Sequence, residues 1–186
     1  QNRADALVLY NMGRYPQAID ICLREINENP RNTESYVVLC WSLVKNGQYE
    51  EAEKWATQGR TMARYDHRLI EIQGEAKYYL GQNAEALALL QEYISLVPGG
   101  SRISTVYYLM GEIYLRQGKY RHADIALTTA VRYENLNAAW WTRLGYAREM
   151  ATEYLSSLDA YDQALKINPV LTDAVRGKSR VSAKLG

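Results

Sequence analysis

The chain has 186 residues, and its 22 basic and 21 acidic side chains nearly cancel. This balance excludes a global field of the kind that attracts nucleic acid or an anionic membrane. The apolar fraction of 47% excludes extensive disorder. Sixteen tyrosines, four tryptophans and no phenylalanine indicate rings that keep one polar edge in water or at a partner.

An internal repeat organises the chain. The segment Gly-Arg-Tyr-Pro-Gln-Ala at 13–18 returns as Gly-Gln-Tyr-Glu-Glu-Ala at 47–52, and its glycine returns at Gly81. The step is 34 residues each time, and the series continues at Gly118 after 37. A fixed period of this length predicts stacked supersecondary units, each a pair of helices that we term helix A and helix B.

Each helix A is predicted to end just before a glycine, because glycine adopts the left-handed conformation at low cost. These glycines are Gly13, Gly47, Gly81 and Gly118. The fifth unit has Thr152 instead. A β-branched residue is poor in that conformation, so we expect its turn to be shaped differently.

Prolines mark the starts and ends of the second helices. Pro16 fits the first turn of helix B, whereas Pro30, Pro98 and Pro169 stop it. The spacing from Pro98 to Pro169 is two periods plus three residues, which places an insertion in the loop 98–101.

Small residues are predicted where the two helices of a unit cross, because larger side chains would overpack the crossing. In helix A these are Ala6, Cys40, Gly74, Gly111 and Gly145, and in helix B they are Ala18, Ala52, Ala86, Ala123 and Ser157. After Pro169, residues 171–185 predict one more helix, with Leu171, Val175, Val181 and Leu185 facing inward. Its other face is polar, as expected of a helix that caps a stack of repeats.

The face of helix A opposite the buried stripe is predicted to line a groove. Its candidate binding residues are Tyr10, Trp41, Lys45, Arg68, Glu71, Glu75, Tyr78, Tyr79, Tyr108, Glu112, Arg116, Tyr146 and Glu149. The rings would supply the strongest contacts. Glu75, Glu112 and Glu149 are expected to form a spaced acidic row that pairs with basic side chains or a terminal amine of a partner.

This pattern resembles the tetratricopeptide repeat family. The clearest unit reads Tyr107, Met110-Gly111, Tyr114, Gly118, Tyr120, Ala123 and Ala130. The chain departs from the pattern at Gln73 and Lys77, which replace apolar residues, and at Asn83, which replaces a tyrosine. Asp5 and Glu25 weaken the first unit.

The resemblance implies an all-α fold, a right-handed α-solenoid of five helix-turn-helix TPR units plus a C-terminal capping helix. We expect a single superhelix over residues 1–186, with units at about 1–31, 32–65, 66–100, 104–136 and 137–170 and the cap at 171–185. Many members bind a partner's C-terminal carboxylate through a basic clamp of Lys and Asn. The clamp places here include Leu7, Val38 and Ile72, which disfavours that role.

Catalytic and metal sites find little support in the sequence. His67 and His122 lie at helix starts, and no Ser or Cys forms a plausible triad with them. No metal-ligand spacing or phosphate-binding glycine loop is present, so we expect no cofactor and no metal. Cys22 and Cys40 are interpreted as small buried side chains, although a disulfide between neighbouring helices is conceivable.

The sequence therefore predicts a noncatalytic protein–protein interaction scaffold whose groove binds a partner peptide or protein with basic and apolar side chains. Two alternatives stay open, namely a regulatory or docking segment of a larger enzyme or transporter system and a self-assembling structural unit. We expect no nucleic acid and no membrane insertion by this segment, whereas a homo-oligomer is compatible with the pattern. Because the chain begins at Gln1, we interpret it as a fragment or a processed product that has lost any targeting segment, so that its compartment is unknown.

Overall fold

A computed structural model describes residues 5–186, so the first four residues of the predicted first unit lie outside it. Between Asp5 and Gly186 the chain is all-α, with five helix pairs followed by one further helix and no strand, as predicted. The helices are α1 (Ala6–Asn11), α2 (Tyr15–Glu28), α3 (Thr33–Lys45), α4 (Tyr49–Met62), α5 (His67–Tyr79), α6 (Asn83–Leu96), α7 (Ile103–Arg116), α8 (Tyr120–Tyr133), α9 (Ala138–Met150), α10 (Tyr154–Ile167) and α11 (Thr172–Leu185).

The chain forms two compact units, which are described separately. The first unit ends at Pro98 and contains α1 to α6, and the second unit is Gly99–Gly186 and contains α7 to α11. In the first unit each helix packs on the next, and the odd-numbered helices α1, α3 and α5 also contact one another in turn. In the second unit α11 packs on both α10 and α9. Stacking of alternate helices is what brings the helix A faces of successive repeats together.

The turns between the paired helices confirm the glycine prediction. Gly13, Gly47, Gly81 and Gly118 have φ values of +74°, +77°, +74° and +69°. The prediction for Thr152 is wrong, because it has a φ of +63° and belongs to the same kind of turn. The Thr152 and Glu153 amides donate to carbonyls of the last turn of α9 at 3.0 and 2.9 Å, as the amides at Gly118 and Lys119 do in α7. These bonds hold the backbone in the left-handed region in spite of the β-branched side chain.

Replacing Thr152 with glycine is expected to stabilise the fold by about 0.5–1 kcal/mol. Relief of the left-handed backbone contributes about 1–2 kcal/mol, and the greater freedom of glycine in the unfolded chain offsets about 0.5–1 kcal/mol of this. Urea denaturation of the variant should show a higher midpoint. The reverse change, Gly118→Thr, serves as the control and should lower it; an unchanged midpoint in both variants contradicts the backbone assignment.

The helix crossings are as close as the small residues predict. Ala18, Ala52, Ala86, Ala123 and Ser157 are fully buried. Opposite them, a methyl group added at Gly111 would lie 2.5 Å from Cγ of Leu127. The same relation recurs between Gly74 and Leu90, and between Gly145 and Tyr161, each sixteen residues apart. A large side chain on helix B thus fills the space that a glycine on helix A leaves.

The polar residues of the third repeat form a hydrogen-bonded network between α4, α5 and α6. The guanidinium of Arg60 donates to Oε1 of Gln73 at 2.8 Å and to Glu92 at 3.0 Å. The amide of Gln73 donates to Thr57 at 2.9 Å, and Lys77 pairs with Glu53 at 3.5 Å. Buried polar groups are tolerated when their partners are present, which explains why these departures from the apolar pattern do not interrupt the stack.

The last helix is held by small residues. Ala174, Gly177 and Val181 are buried at the contact with α10, where they meet Tyr161. The inward position predicted for Val175 and Leu185 is wrong, since they are 47% and 41% exposed. The close contact at Gly177 sets the rotation of α11, and this rotation turns those two side chains towards solvent.

Candidate functional site

Aromatic rings on the helix A faces of the first unit pair with one another. The rings of Tyr10 and Trp41 lie 5.8 Å apart and connect α1 to α3. Tyr79 stacks on Tyr49 of α4 at 4.5 Å, and Tyr78 meets Tyr79 edge to face at 5.0 Å. Trp41 and Tyr10 are half-buried, whereas Tyr78 is buried. The predicted rings are therefore ordered by their neighbours and differ in how much surface they offer.

The charged candidates of the first unit fall into two groups. Glu71 and Glu75 are 2% and 6% exposed. Arg68 is half-buried and binds Glu34 of the preceding repeat at 2.7 Å and Asp66 at 2.8 Å. Hydrogen bonds to Asp66 and then to Glu34 raise the pKa of Arg68. Lys45 is exposed at the end of α3.

In the second unit, two rings join consecutive A helices. Tyr108 of α7 and Trp140 of α9 are stacked, with centroids 4.8 Å apart and planes at 7°. Tyr146 lies one and a half turns further along α9, beneath the guanidinium of Arg143 at 5.1 Å. These side chains are all half-buried. Each therefore has one side fixed by the protein and another side open to solvent.

Glu112 and Glu149 of the second unit are each bound by an arginine that lies two helices further along the chain. Glu112 is 9% exposed and accepts from Nε and Nη2 of Arg143 at 2.7 and 3.0 Å. Glu149 accepts from Nε and Nη2 of Arg180 at 2.7 and 3.0 Å. The hydroxyl of Tyr161 donates to the same carboxylate at 2.6 Å. Arg116 is exposed in the last turn of α7.

The structure thus differs from the expected acidic row. Glu75 and Glu112 directly follow the crossing glycines of their helices, but the corresponding residue in α9 is Tyr146 and Glu149 lies one turn later. A carboxylate that is mostly buried where two A helices pack together loses hydration. This loss is compensated when an arginine binds the carboxylate in bidentate fashion. In the pairs Arg143–Glu112 and Arg180–Glu149 the charge that faces outward is therefore a guanidinium and not a carboxylate.

Sequence reasoning missed Trp140, Arg143 and Arg180. A signal for the two arginines is present, because Arg143 follows Glu112 by 31 residues and Arg180 follows Glu149 by the same number. This spacing is one repeat less about one helical turn. It brings the arginine level with the glutamate of the preceding A helix.

The pair of Glu149 and Arg180 predicts a pH dependence of stability. Burial by itself raises the pKa of Glu149, but hydrogen bonds from Arg180 and Tyr161 outweigh it, and the pKa lies below its ordinary value of 4.5. The ionised form is therefore favoured by folding. Its contribution is fully present above pH 4.5 and is lost as the pH falls through the lowered pKa of the folded state.

Glu149→Gln is expected to cost about 1 kcal/mol at pH 7, and the difference from the unchanged chain should shrink as the pH falls below 4.5. Urea denaturation at neutral and at acidic pH measures this. Asp66 has a lowered pKa in the first unit as well, where hydrogen bonds from Arg68 outweigh the effect of burial. Only the difference between variant and unchanged chain is therefore diagnostic, and a constant difference over this range contradicts the assignment.

Other candidate chemistry lies away from these faces. His67 and His122 are exposed and contact the rings of Tyr93 and Tyr114. Cys22 and Cys40 are free and buried, and burial raises the pKa of Cys22 to about 12. In the part of the chain that the structure describes, no cluster of His, Cys, Asp and Glu side chains is suited to hold a metal ion. Every helix of that part is too short or too polar to cross a bilayer.

In each pair the first helix ends at a residue in the left-handed conformation, and the two helices cross at small residues. Pairs of this kind that stack through alternate helices define a helical repeat protein. Tetratricopeptide repeat models match residues 72–100 and 108–171. The chain belongs to the tetratricopeptide repeat family, whose members form protein-interaction modules and are in general noncatalytic scaffolds.

Several solved structures have the same fold. Pseudomonas aeruginosa pilF superposes with a TM-score of 0.82 at 15% identity, covering 97% of this chain and 81% of its own. YrrB, described as a TPR protein with an unusual peptide-binding site, has a TM-score of 0.77 at 14% identity, with 88% and 83% covered. MamA from Desulfovibrio magneticus RS-1 has a TM-score of 0.74 at 18% identity, with 82% and 85% covered.

A curated relative is much longer than this chain. Human protein O-mannosyl-transferase TMTC1 is 26% identical over 165 residues, which are 86% of this chain and 18% of the transferase. The chain therefore spans less than a fifth of that relative's length.

Proposed function

We propose that the chain is a noncatalytic interaction module that binds a segment of a partner protein on the helix A faces of its repeats. The observation that carries the proposal is the stacked pair of Tyr108 and Trp140, which joins α7 to α9 and remains half-exposed. Aromatic side chains dominate the binding energy of protein interfaces. Rings that are already ordered lose little conformational entropy when a partner covers them.

Nearby side chains extend this surface within the second unit. Tyr146 and Arg143 lie further along α9 and add a ring and a guanidinium held in place. In the first unit, the rings of Tyr10 and Trp41 join α1 to α3, at other positions of the repeat. We extend the proposal to this pair, and we keep the other predicted groove residues as candidate contacts. The peptide-binding site in the printed description of YrrB is a precedent on the same fold.

The test is selection of binding peptides from an unbiased display library, followed by affinity measurement with variants. Tyr108→Ala combined with Trp140→Ala is expected to weaken the selected peptides about thirtyfold to a thousandfold, since hot-spot truncations cost about 1–2 kcal/mol each and the two losses add to about 2–4 kcal/mol. The matched control is Tyr65→Ala combined with Tyr133→Ala, which removes two rings that are 66% and 57% exposed elsewhere. Equal affinity for both double variants, or the absence of any selected peptide, rejects the proposal.

A second candidate is favoured by the similarity to the transferase. The match covers 18% of a far larger transferase, so we propose as the alternative that this chain is the docking segment of a longer protein that modifies its partner. Sequencing the complete gene and assaying the full-length product for transfer of a sugar to protein acceptors decides this. Activity that survives deletion of this segment, with unchanged KM for the acceptor, contradicts it.

A further inference from the structure

The last helix carries a row of cations on one face. Arg176, Arg180 and Lys184 follow one another at four-residue intervals in α11 and are all exposed. Residues spaced by four lie above one another on a helix, so these side chains share one face. Asp173, three residues before Arg176, is the acidic residue of α11 on this side.

This row is continuous with the helix A face of α9. The guanidinium of Arg180 is bound to Glu149 of α9 at 2.7 Å. Glu149 follows Tyr146 by three residues, and the ring of Tyr146 lies beneath Arg143. One surface therefore runs from Arg143 through Tyr146 to the cations of α11. We name it the α9–α11 basic face, defined by Arg143, Tyr146, Arg176, Arg180 and Lys184.

The charges of this face are displayed asymmetrically. The side chain of Arg143 is 38% exposed and that of its partner Glu112 only 11%. Arg180 is 52% exposed and its partner Glu149 is 15% exposed. The two carboxylates are thus mostly buried between the helices, and the two guanidinium groups lie nearer to the solvent. Glu112 accepts one N–H from Nε and one from Nη2 of Arg143, so three of the five N–H groups, two on Nη1 and one on Nη2, are not used by this carboxylate.

Arg143 and Arg180 are preorganised to bind further carboxylates, because each is already held in place by one carboxylate. Much of the rotamer entropy of an arginine side chain is already lost in the free protein. A partner therefore does not have to supply that cost when it binds. Tyr146 adds an apolar surface beside the guanidinium of Arg143.

We propose that the α9–α11 basic face binds an acidic segment of a protein partner, rich in Asp or Glu and interspersed with aromatic or aliphatic residues. This rests on the proposed function and reverses the basic partner that the sequence predicted, because two of the three glutamates on which that prediction depended, Glu112 and Glu149, are bound by Arg143 and Arg180. Charge complementarity selects this occupant over a basic one.

The experiment measures binding of the whole chain to three labelled probes by fluorescence anisotropy. The probes are a random Glu-Tyr copolymer, a random Lys-Tyr copolymer and single-stranded polyuridylate. The Glu-Tyr copolymer is expected to bind, with an affinity that falls as salt is raised from about 50 to 500 mM. The Lys-Tyr copolymer should bind at least tenfold more weakly under the same conditions.

Charge reversal on α11 locates the site. Arg176→Glu combined with Lys184→Glu should weaken the Glu-Tyr copolymer at least tenfold, and neither change breaks the ion pair of Arg180 with Glu149. The matched control is Arg132→Glu combined with Lys166→Glu, which makes the same change in net charge on exposed residues of α8 and α10. Circular dichroism of both double variants verifies that they keep the helical fold.

The outcomes separate this inference from the proposed function. The inference is overturned if the selected library peptides are neutral or basic and their affinity depends on Tyr108 and Trp140 but is unaffected by the charge reversals on α11. The proposed interaction module is still supported in that case. Equal losses in the α11 and control variants overturn it as well, since the attraction is then not localised. Tighter binding of polyuridylate than of the Glu-Tyr copolymer identifies the face as a nucleic-acid surface and also overturns it.

Discussion

Replacing Tyr161 with alanine is expected to lower the free energy of unfolding of the second unit by about 3–5 kcal/mol. The ring is 1% exposed and lies in a slot between Gly145 of α9 and Gly177 of α11. Its removal leaves a cavity at the junction of three helices. It also removes the hydroxyl that donates to Glu149 at 2.6 Å, so a carboxylate in the wall loses one of its partners.

Urea denaturation gives the total cost, and hydrogen exchange of the α11 amides gives its location. Tyr161→Phe is the matched control, because it keeps the ring and removes only the hydroxyl, at a cost of about 1–2 kcal/mol. In repeat stacks each element is held mainly by its neighbours, so the amides of α11 should lose protection before those of α7. Uniform loss of protection across the second unit contradicts the view that Tyr161 acts chiefly by docking α11.

The sequence predicted the features that depend on one or two residues at a fixed spacing. Gly118 ends a helix for a local reason, and Gly111 is small because a helix crosses there, so the repeat period is enough to find both. Thr152 shows the limit of this reasoning. Its φ of +63° contradicts its own preference, because the carbonyls at the end of α9 find their donors only when the turn matches those of the other repeats.

The candidate site was less predictable than the fold, and the reason is again physical. Periodicity assigns Glu112 to one face of α7, but it does not specify which side chain of the next A helix comes level with it. That depends on the relative rotation and axial shift of α7 and α9, which packing decides. The ion pair with Arg143 at 2.7 Å changes the exposed charge of the face, and with it the expected partner.

Replacing Gly177 with alanine is expected to destabilise the second unit by about 2 kcal/mol. A methyl group at this position would overlap the phenol ring of Tyr161 and would lie 2.7 Å from its oxygen. Overpacking of this kind costs about 1–3 kcal/mol, and the severe overlap places Gly177 at the upper end. The better helix propensity of alanine returns about 1 kcal/mol. Gly99→Ala is the control, since nothing lies within 4 Å of a methyl group there.

A double-mutant cycle isolates the contact. With Tyr161→Ala already present, Gly177→Ala should no longer destabilise the fold. It should instead raise the free energy of unfolding by about 0.5–1 kcal/mol, from helix propensity alone. An unchanged cost in that background means that the alanine methyl clashes with something other than Tyr161. The same cycle bears on function, because α11 carries Arg176, Arg180 and Lys184. If these cations bind an acidic partner only while α11 is docked, Gly177→Ala will weaken binding of the Glu-Tyr copolymer although it removes no charge. The loss of affinity should then match the fraction of molecules in which hydrogen exchange shows α11 to be undocked.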